Sequence, residues 1–174
     1  MKKAADSAEN CLNAEQVRHL FNYDPQTGIF TWRNHPKAPS WVGKRAGSRR
    51  PDGYRQILIL GRLYLEHRIA WLFVTGEFPP QEIDHIDQNP SNNALSNLRP
   101  ASRELNEVNK GLQKNNTSGY RGVSWSNQYQ KWRASLWHHG KNKYLGAYDD
   151  KEEAYAAYCA AAKQLSGEFF NGGV

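Results

Sequence analysis

The run EIDHIDQNPSNNALSNLRPASRELNEVN, residues 82–109, decides how this chain is read. A short β-capable start gives way to a loop rich in Asn, Ser and Pro. A second apolar start at Leu98 and a polar, helix-compatible segment follow, so the expected order is strand, polar loop, strand, helix. Asp84 and His85 fall at the end of the first strand, where adjacent side chains point to opposite faces. One can therefore ligate a cation while the other takes a proton.

Hydrolysing a phosphodiester needs an in-line water, a base that titrates near ambient pH, and a cation to neutralise the phosphate oxygens. Histidine suits the base, and carboxylate and amide oxygens are hard ligands for Mg²⁺ or Mn²⁺. Taken singly, an Asp-His pair carries no information and an Asn-rich stretch is ordinary turn material. The joint spacing singles the set out: Asn97 lies 13 and Asn106 22 positions after Asp84, with Leu95 and Leu98 placed to pin a small core. On Asp84-His85, on NNALSNLR at 92–99 and on Asn106, the chain resembles the HNH endonucleases of the phage and intron-associated homing type. The likeness extends upstream through HRIAW at 67–71 and Pro79-Pro80, and covers roughly residues 13–110.

That resemblance implies a ββα-metal finger over residues 82–110 and a metal-dependent DNA endonuclease. His85 would be the general base, and Asp84 and Asn106 would hold one Mg²⁺ or Mn²⁺ ion. Asn97 would tie the finger's loop and orient His85. Many family members carry His where this chain has Asn106, which keeps an oxygen ligand. His67 is expected to be structural or to contact DNA, and Asp87 and Asn89 to form the loop.

Composition agrees with a polyanionic partner. The formal charge is +6 and the pI about 9.3, and residues 1–50 and 111–174 are basic (nine Lys/Arg against four Asp/Glu, and eight against five). Residues 51–110 are slightly acidic, six against eight. Basic arms around an acidic centre suit a protein that grips nucleic acid and holds a cation. Two distant cysteines, Cys11 and Cys159, support neither a disulfide framework nor a cysteine zinc site. The N-terminus lacks a signal-peptide apolar run and no segment reaches membrane-span length, so a cytoplasmic protein is expected, as the phage resemblance also implies for a bacterial host.

Residues 1–12 are expected to be loose. A helix is predicted from Asn13, with Gln16 completing a cap and Val17, Leu20 and Phe21 on one face, ending at the turn 23–28. A strand at 29–32 and a basic loop bearing Lys37, Lys44, Arg45, Arg49 and Arg50 follow. A hairpin is predicted over 56–67 around a Gly61-Arg62 turn, then a short helix over 69–74 closed by Gly76. Residues 111–117 read as a linker.

Residues 118–174 form a second module with strands at 120–125, 131–137 and 143–148, and a helix from Asp150-x-x-Glu153 to about Ser166, its sheet-facing stripe being Ala154, Tyr158, Ala161 and Leu165. SGYRGVSW at 118–125, KWRA at 131–134, YLGAY at 144–148 and EAYAAY at 153–158 resemble the Apetala/ethylene-response-factor DNA-binding domain. In that family the sheet enters the major groove. In the second strand, alternation puts Trp132, Ala134 and Leu136 in the core and Arg133, Ser135 and Trp137 outside. Arg121, Trp125, Lys143 and Tyr144 are expected to join the DNA-binding surface, with Arg45, Arg49 and Arg50 from the first module.

The expected fold class is thus α+β: an N-terminal HNH nuclease domain, 13–110, with its finger, and a small C-terminal three-stranded antiparallel sheet packed on one helix. Double-stranded DNA is the expected partner, with the choice between monomer and dimer, and between nicking and double-strand cutting, left open. The rival expectation is a non-catalytic, sequence-specific DNA-binding regulator with a silent finger.

Overall fold

The computed structural model describes residues 12–109, 112, 115–138 and 140–170. Apart from Leu12, the N-terminal segment expected to be loose lies outside them, as does part of the 111–117 linker. By its contacts the chain divides into two compact units, Met1–Pro100 and Ala101–Val174.

In the first unit, α1 (Ala14–Leu20) opens on a reciprocal capping box. The Asn13 side chain accepts from the Gln16 N–H at 2.9 Å, and the Gln16 side chain accepts from the Asn13 N–H at 3.0 Å. The helix stops at Leu20, short of its expected end. Phe21 and Tyr23 alternate inward against Asn22 and Asp24, and so form β1 (Phe21–Asp24) paired with β2 (Ile29–Trp32). Phe21, Tyr23, Phe30 and Trp32 interlock, and this aromatic burial outweighs another helical turn.

A three-stranded antiparallel sheet follows in chain order, β3 (Ser48–Arg49), β4 (Arg55–Ile59) and β5 (Arg62–Leu65). Its hairpin turns at Leu60-Gly61, not at Gly61-Arg62: both residues have positive φ, 50° and 79°, and Ile59 pairs with Arg62. Helix α2 (Glu66–Thr75) starts three residues earlier than expected and ends at Gly76, φ 91°. Glu66 and His67 therefore leave the predicted strand and are buried in the first turn of a helix. Strands β6 (Glu82–His85) and β7 (Leu98–Ala101) pair as a two-stranded sheet, joined by a loop that ends in the 3₁₀ turn Leu95–Asn97. Ile83 and Leu98 anchor this pair in the core that holds Ile57, Ile59, Ile69 and Leu72.

The second unit holds α3 (Arg103–Asn109) and an antiparallel sheet of β8 (Val123–Ser126), β9 (Lys131–His138) and β10 (Lys141–Tyr148), with β9 central. Helix α4 (Lys151–Ser166) packs on it, its first turn capped by the Asp150 carboxylate, which accepts from the Glu152 and Glu153 N–H groups. The helix buries Ala154, Tyr158 and Ala162 against Val123, Ala134 and Leu136. The row runs through Ala162, so Ala161 is half-buried and Leu165, expected on this face, is exposed. Gly122 (φ +70°) sits where a Cβ would stand 2.2 Å from the Tyr158 ring, so the close approach of turn and helix requires glycine. The molecule is α+β, with mixed helices and short antiparallel sheets. No helix among the described residues is long and apolar enough to cross a membrane.

Candidate active site

Asp84 and His85 end β6, and both are buried, 3% and 5% exposed. They nevertheless address different partners. Asp84 Oδ2 accepts from Arg99 Nε on the paired strand at 2.9 Å and forms an ion pair with the same guanidinium, Nη2 also lying at 2.9 Å. His85 Nε2 lies 3.1 Å from Asn93 Oδ1. Each charged or chargeable group thus meets a fixed polar partner inside the protein, as burial demands.

The Asn93 side chain, fully buried, donates from Nδ2 to Glu66 Oε2 at 2.8 Å, and the same oxygen accepts from Arg55 Nε at 2.8 Å. A chain of four side chains, Arg55, Glu66, Asn93 and His85, therefore runs from β4 through α2 and the loop to the end of β6. Burial pushes the Glu66 carboxyl above its usual range despite Arg55, Arg45 and Asn93, all of which favour its ionised form. Burial also pushes the His85 imidazole below its usual value, against the opposing influence of Asn93, Asp87 and Asp84. His67 stands edge-to-face on His85, ring centroids 5.0 Å apart, and Tyr54 packs against both rings. Buried, and with His85 and Arg68 nearby, His67 is held down to about 3.

The loop between the strands is tied through Asn97 and Asp87. Asn97 Nδ2 donates to Asp87 Oδ1 (2.9 Å) and to the Asn92 carbonyl (2.8 Å), and Asn97 Oδ1 accepts from the Asp87 N–H (3.0 Å). Asn92 Nδ2 and the Asn89 N–H also reach Asp87, at 2.7 and 2.8 Å. Burial opposes ionisation of Asp87, but these bonds outweigh it and hold its carboxyl below the usual range. Asn97 thus fixes the loop, while the side chain hydrogen-bonded to the His85 ring is that of Asn93, through its Oδ1. From the other side the turn of the β1–β2 hairpin clamps the loop: Leu95 N–H donates to the Pro25 carbonyl (2.9 Å) and Tyr23 OH to the Asn93 carbonyl (2.8 Å).

Asn106 is half-buried on α3, its N–H donating to the Ser102 carbonyl at 3.0 Å, and by contacts it falls in the second unit. Among the described residues no group of three or more His, Cys, Asp and Glu gathers as a metal site.

Of the residues expected to meet DNA, Arg133, Trp137 and Tyr144 share the outward row of the second unit's sheet. Trp137 and Tyr144 are 60% and 55% exposed, and the Arg133 guanidinium lies 5.1 Å over the Tyr144 ring. Trp125 is 44% exposed beside Trp132. Lys143 is exposed but registers opposite the buried Leu136, away from that row. Arg121 lies in the turn before β8, half-buried, its charge acting on the buried Tyr158 phenol. In the first unit Arg45, Arg49 and Arg50 are exposed, and Arg50 forks onto Asp52 at 2.8 to 3.2 Å.

A buried Asp-His pair at the end of a strand, a loop knotted by asparagines and a returning strand are the parts of a nuclease finger, and a family model described as HNH endonuclease matches residues 64–108. The chain belongs to the HNH endonuclease family. It is 35% identical over 117 residues to Protein 3.8 of Escherichia phage T7, a match covering 67% of this chain and 93% of that protein. It is 34% identical over 119 residues to the uncharacterized HNH endonuclease L560 of Acanthamoeba polyphaga mimivirus, covering 68% of this chain and 61% of that protein. A 70-residue stretch is 31% identical to the AP2-like ethylene-responsive transcription factor TOE2 of Arabidopsis thaliana, covering 40% of this chain and 14% of that protein. No solved structure matches. The family makes the chain a nuclease, and HNH nucleases typically depend on a divalent metal.

Proposed function

We propose that this nuclease is a homing-type DNA endonuclease that hydrolyses duplex phosphodiesters, with residues 13–110 as the cutting domain and 118–174 as an Apetala-type domain that addresses the DNA. The observation that carries the reading is the buried Asp84–His85 pair, each member held by its own partner. His85, kept neutral by burial, takes the proton from the attacking water. Asp84 and Asn106 would be the hard oxygen donors to one Mg²⁺ or Mn²⁺. A carboxylate and an amide oxygen are hard donors of the kind that would suit such an ion. When bound, the ion supplies positive charge to the non-bridging and leaving oxygens. Asn97 holds the loop that fixes both sides of the site. Arg133, Trp137 and Tyr144 offer a cation and apolar surface to groove edges and sugars, with Arg45 and Arg49 available to phosphates.

The test is cleavage of supercoiled plasmid by the full chain at graded Mg²⁺ or Mn²⁺. Cutting should stop with a chelator. Asp84→Ala and Asn106→Ala should each require more metal for half-maximal rate, and metal-independent cutting by either variant at the parent rate would refute the assignment.

A further inference from the structure

Arginine has no hydrogen-bond acceptor, and this fixes the direction of the whole buried chain of side chains that ends on His85. Arg55 Nε donates to Glu66 Oε2, so that oxygen is an acceptor. Facing an acceptor at 2.8 Å, Asn93 presents its NH₂ group, and its Oδ1 is therefore turned to His85 Nε2 at 3.1 Å. An amide oxygen can only accept, so the imidazole carries its proton on Nε2 and its lone pair on Nδ1. We propose that Glu66 and Asn93 are positioning residues of the nuclease, which hold His85 in the Nε2–H tautomer with Nδ1 as the proton-accepting nitrogen.

Independent contacts show that Asn93 is held to this task and is not a loop residue caught by chance. Its side chain and that of Glu66 are fully buried. Its carbonyl accepts from Tyr23 OH, and Gly28 is packed so closely that a Cβ there would stand 2.1 Å from the Asn93 carbonyl carbon. Rotating the amide would place two oxygens 2.8 Å apart at Glu66, which the Arg55 bond already fixes as an acceptor. In the opposite tautomer the imidazole would present a lone pair to an amide oxygen and lose the base function at Nδ1, so the dyad acts on catalysis only through His85. The inference rests on the reading of His85 as general base.

The direct test is the ¹⁵N NMR spectrum of the full-length protein labelled at histidine, with His85 assigned by its loss in His85→Gln. The native spectrum should show a protonated Nε2 and an unprotonated Nδ1 at His85, and a proton on Nδ1 would overturn the proposal without any variant. Asn93→Leu, similar in volume but without the amide, should abolish this preference and lower kcat roughly tenfold to a hundredfold with KM nearly unchanged. An unchanged tautomer in Asn93→Leu would refute the positioning role. A shifted tautomer with unchanged kcat would leave the positioning intact and refute His85 as the base.

Discussion

His67 and His85 meet edge-to-face in the interior of the nuclease unit, and protonating either would place a cation where little water can reach it. For His67 the effect on stability has a definite sign. Its folded-state value is about 3, against about 6.5 for an unperturbed imidazole. Between these values the unfolded chain binds a proton that the folded chain refuses, so the contribution of His67 is fully present above pH ~6.5 and is lost as pH falls. Urea unfolding of the parent and of His67→Gln at pH 7 and pH 5 measures this. The parent should lose about 2 kcal/mol more than the variant over that interval, and equal losses would show that His67 is not buried neutral. At this scale the sequence was partly legible. Asp84, His85, Asn97 and Asn106 stand at spacings that make sense together. Asn93 does not stand out in a run where every second residue is polar, and Glu66 lies 27 positions from it. Only the fold reveals that the two touch.

Element boundaries account for most of what the sequence left hidden. Read as a strand to His67, the 63–67 segment would alternate Glu66 and His67 between faces. Beginning α2 at Glu66 instead puts both into the interior beside the loop. Local β-propensity favoured the strand, and burial in the finished core decided otherwise. The β1–β2 hairpin shows the same override: Phe21 left the helical pattern, and Tyr23 the expected turn, to pack with Phe30 and Trp32 in a strand pair. The hairpin then became the clamp on the loop between β6 and β7. Gly28→Ala tests that clamp, because φ is +69° and the new Cβ would fall 2.1 to 2.6 Å from the backbone of Asn93 and Ala94. Thermal unfolding should show a loss of about 3 kcal/mol, and an unperturbed midpoint would mean that the turn and the loop are not in contact. The caps at Asn13 and Asp150, by contrast, were readable at once, since capping is local chemistry.

On the scale of the molecule, two compact units carry different surfaces. The first holds the buried Asp-His pair. The second holds an outward row in which the large rings of Trp137 and Tyr144 are more than half exposed beside Arg133. Sequence alternation anticipated that row, but it could not show that Lys143 registers with the buried Leu136 or that Arg121 turns to Tyr158. If the row addresses DNA, Arg133→Ala should weaken duplex binding by about tenfold, roughly 1.4 kcal/mol and at the lower end of what a base contact contributes, with slow cleavage retained. Filter binding at fixed salt measures it, and unchanged affinity would move the address elsewhere on the chain. In the first unit, the role of His85 as the base is tested most directly by one rate. Under single-turnover conditions with saturating Mg²⁺ and a cleavable duplex, His85→Ala should cut at least about a hundredfold slower than the parent while binding the duplex equally well; equal cutting rates would contradict the assignment of His85 as the base.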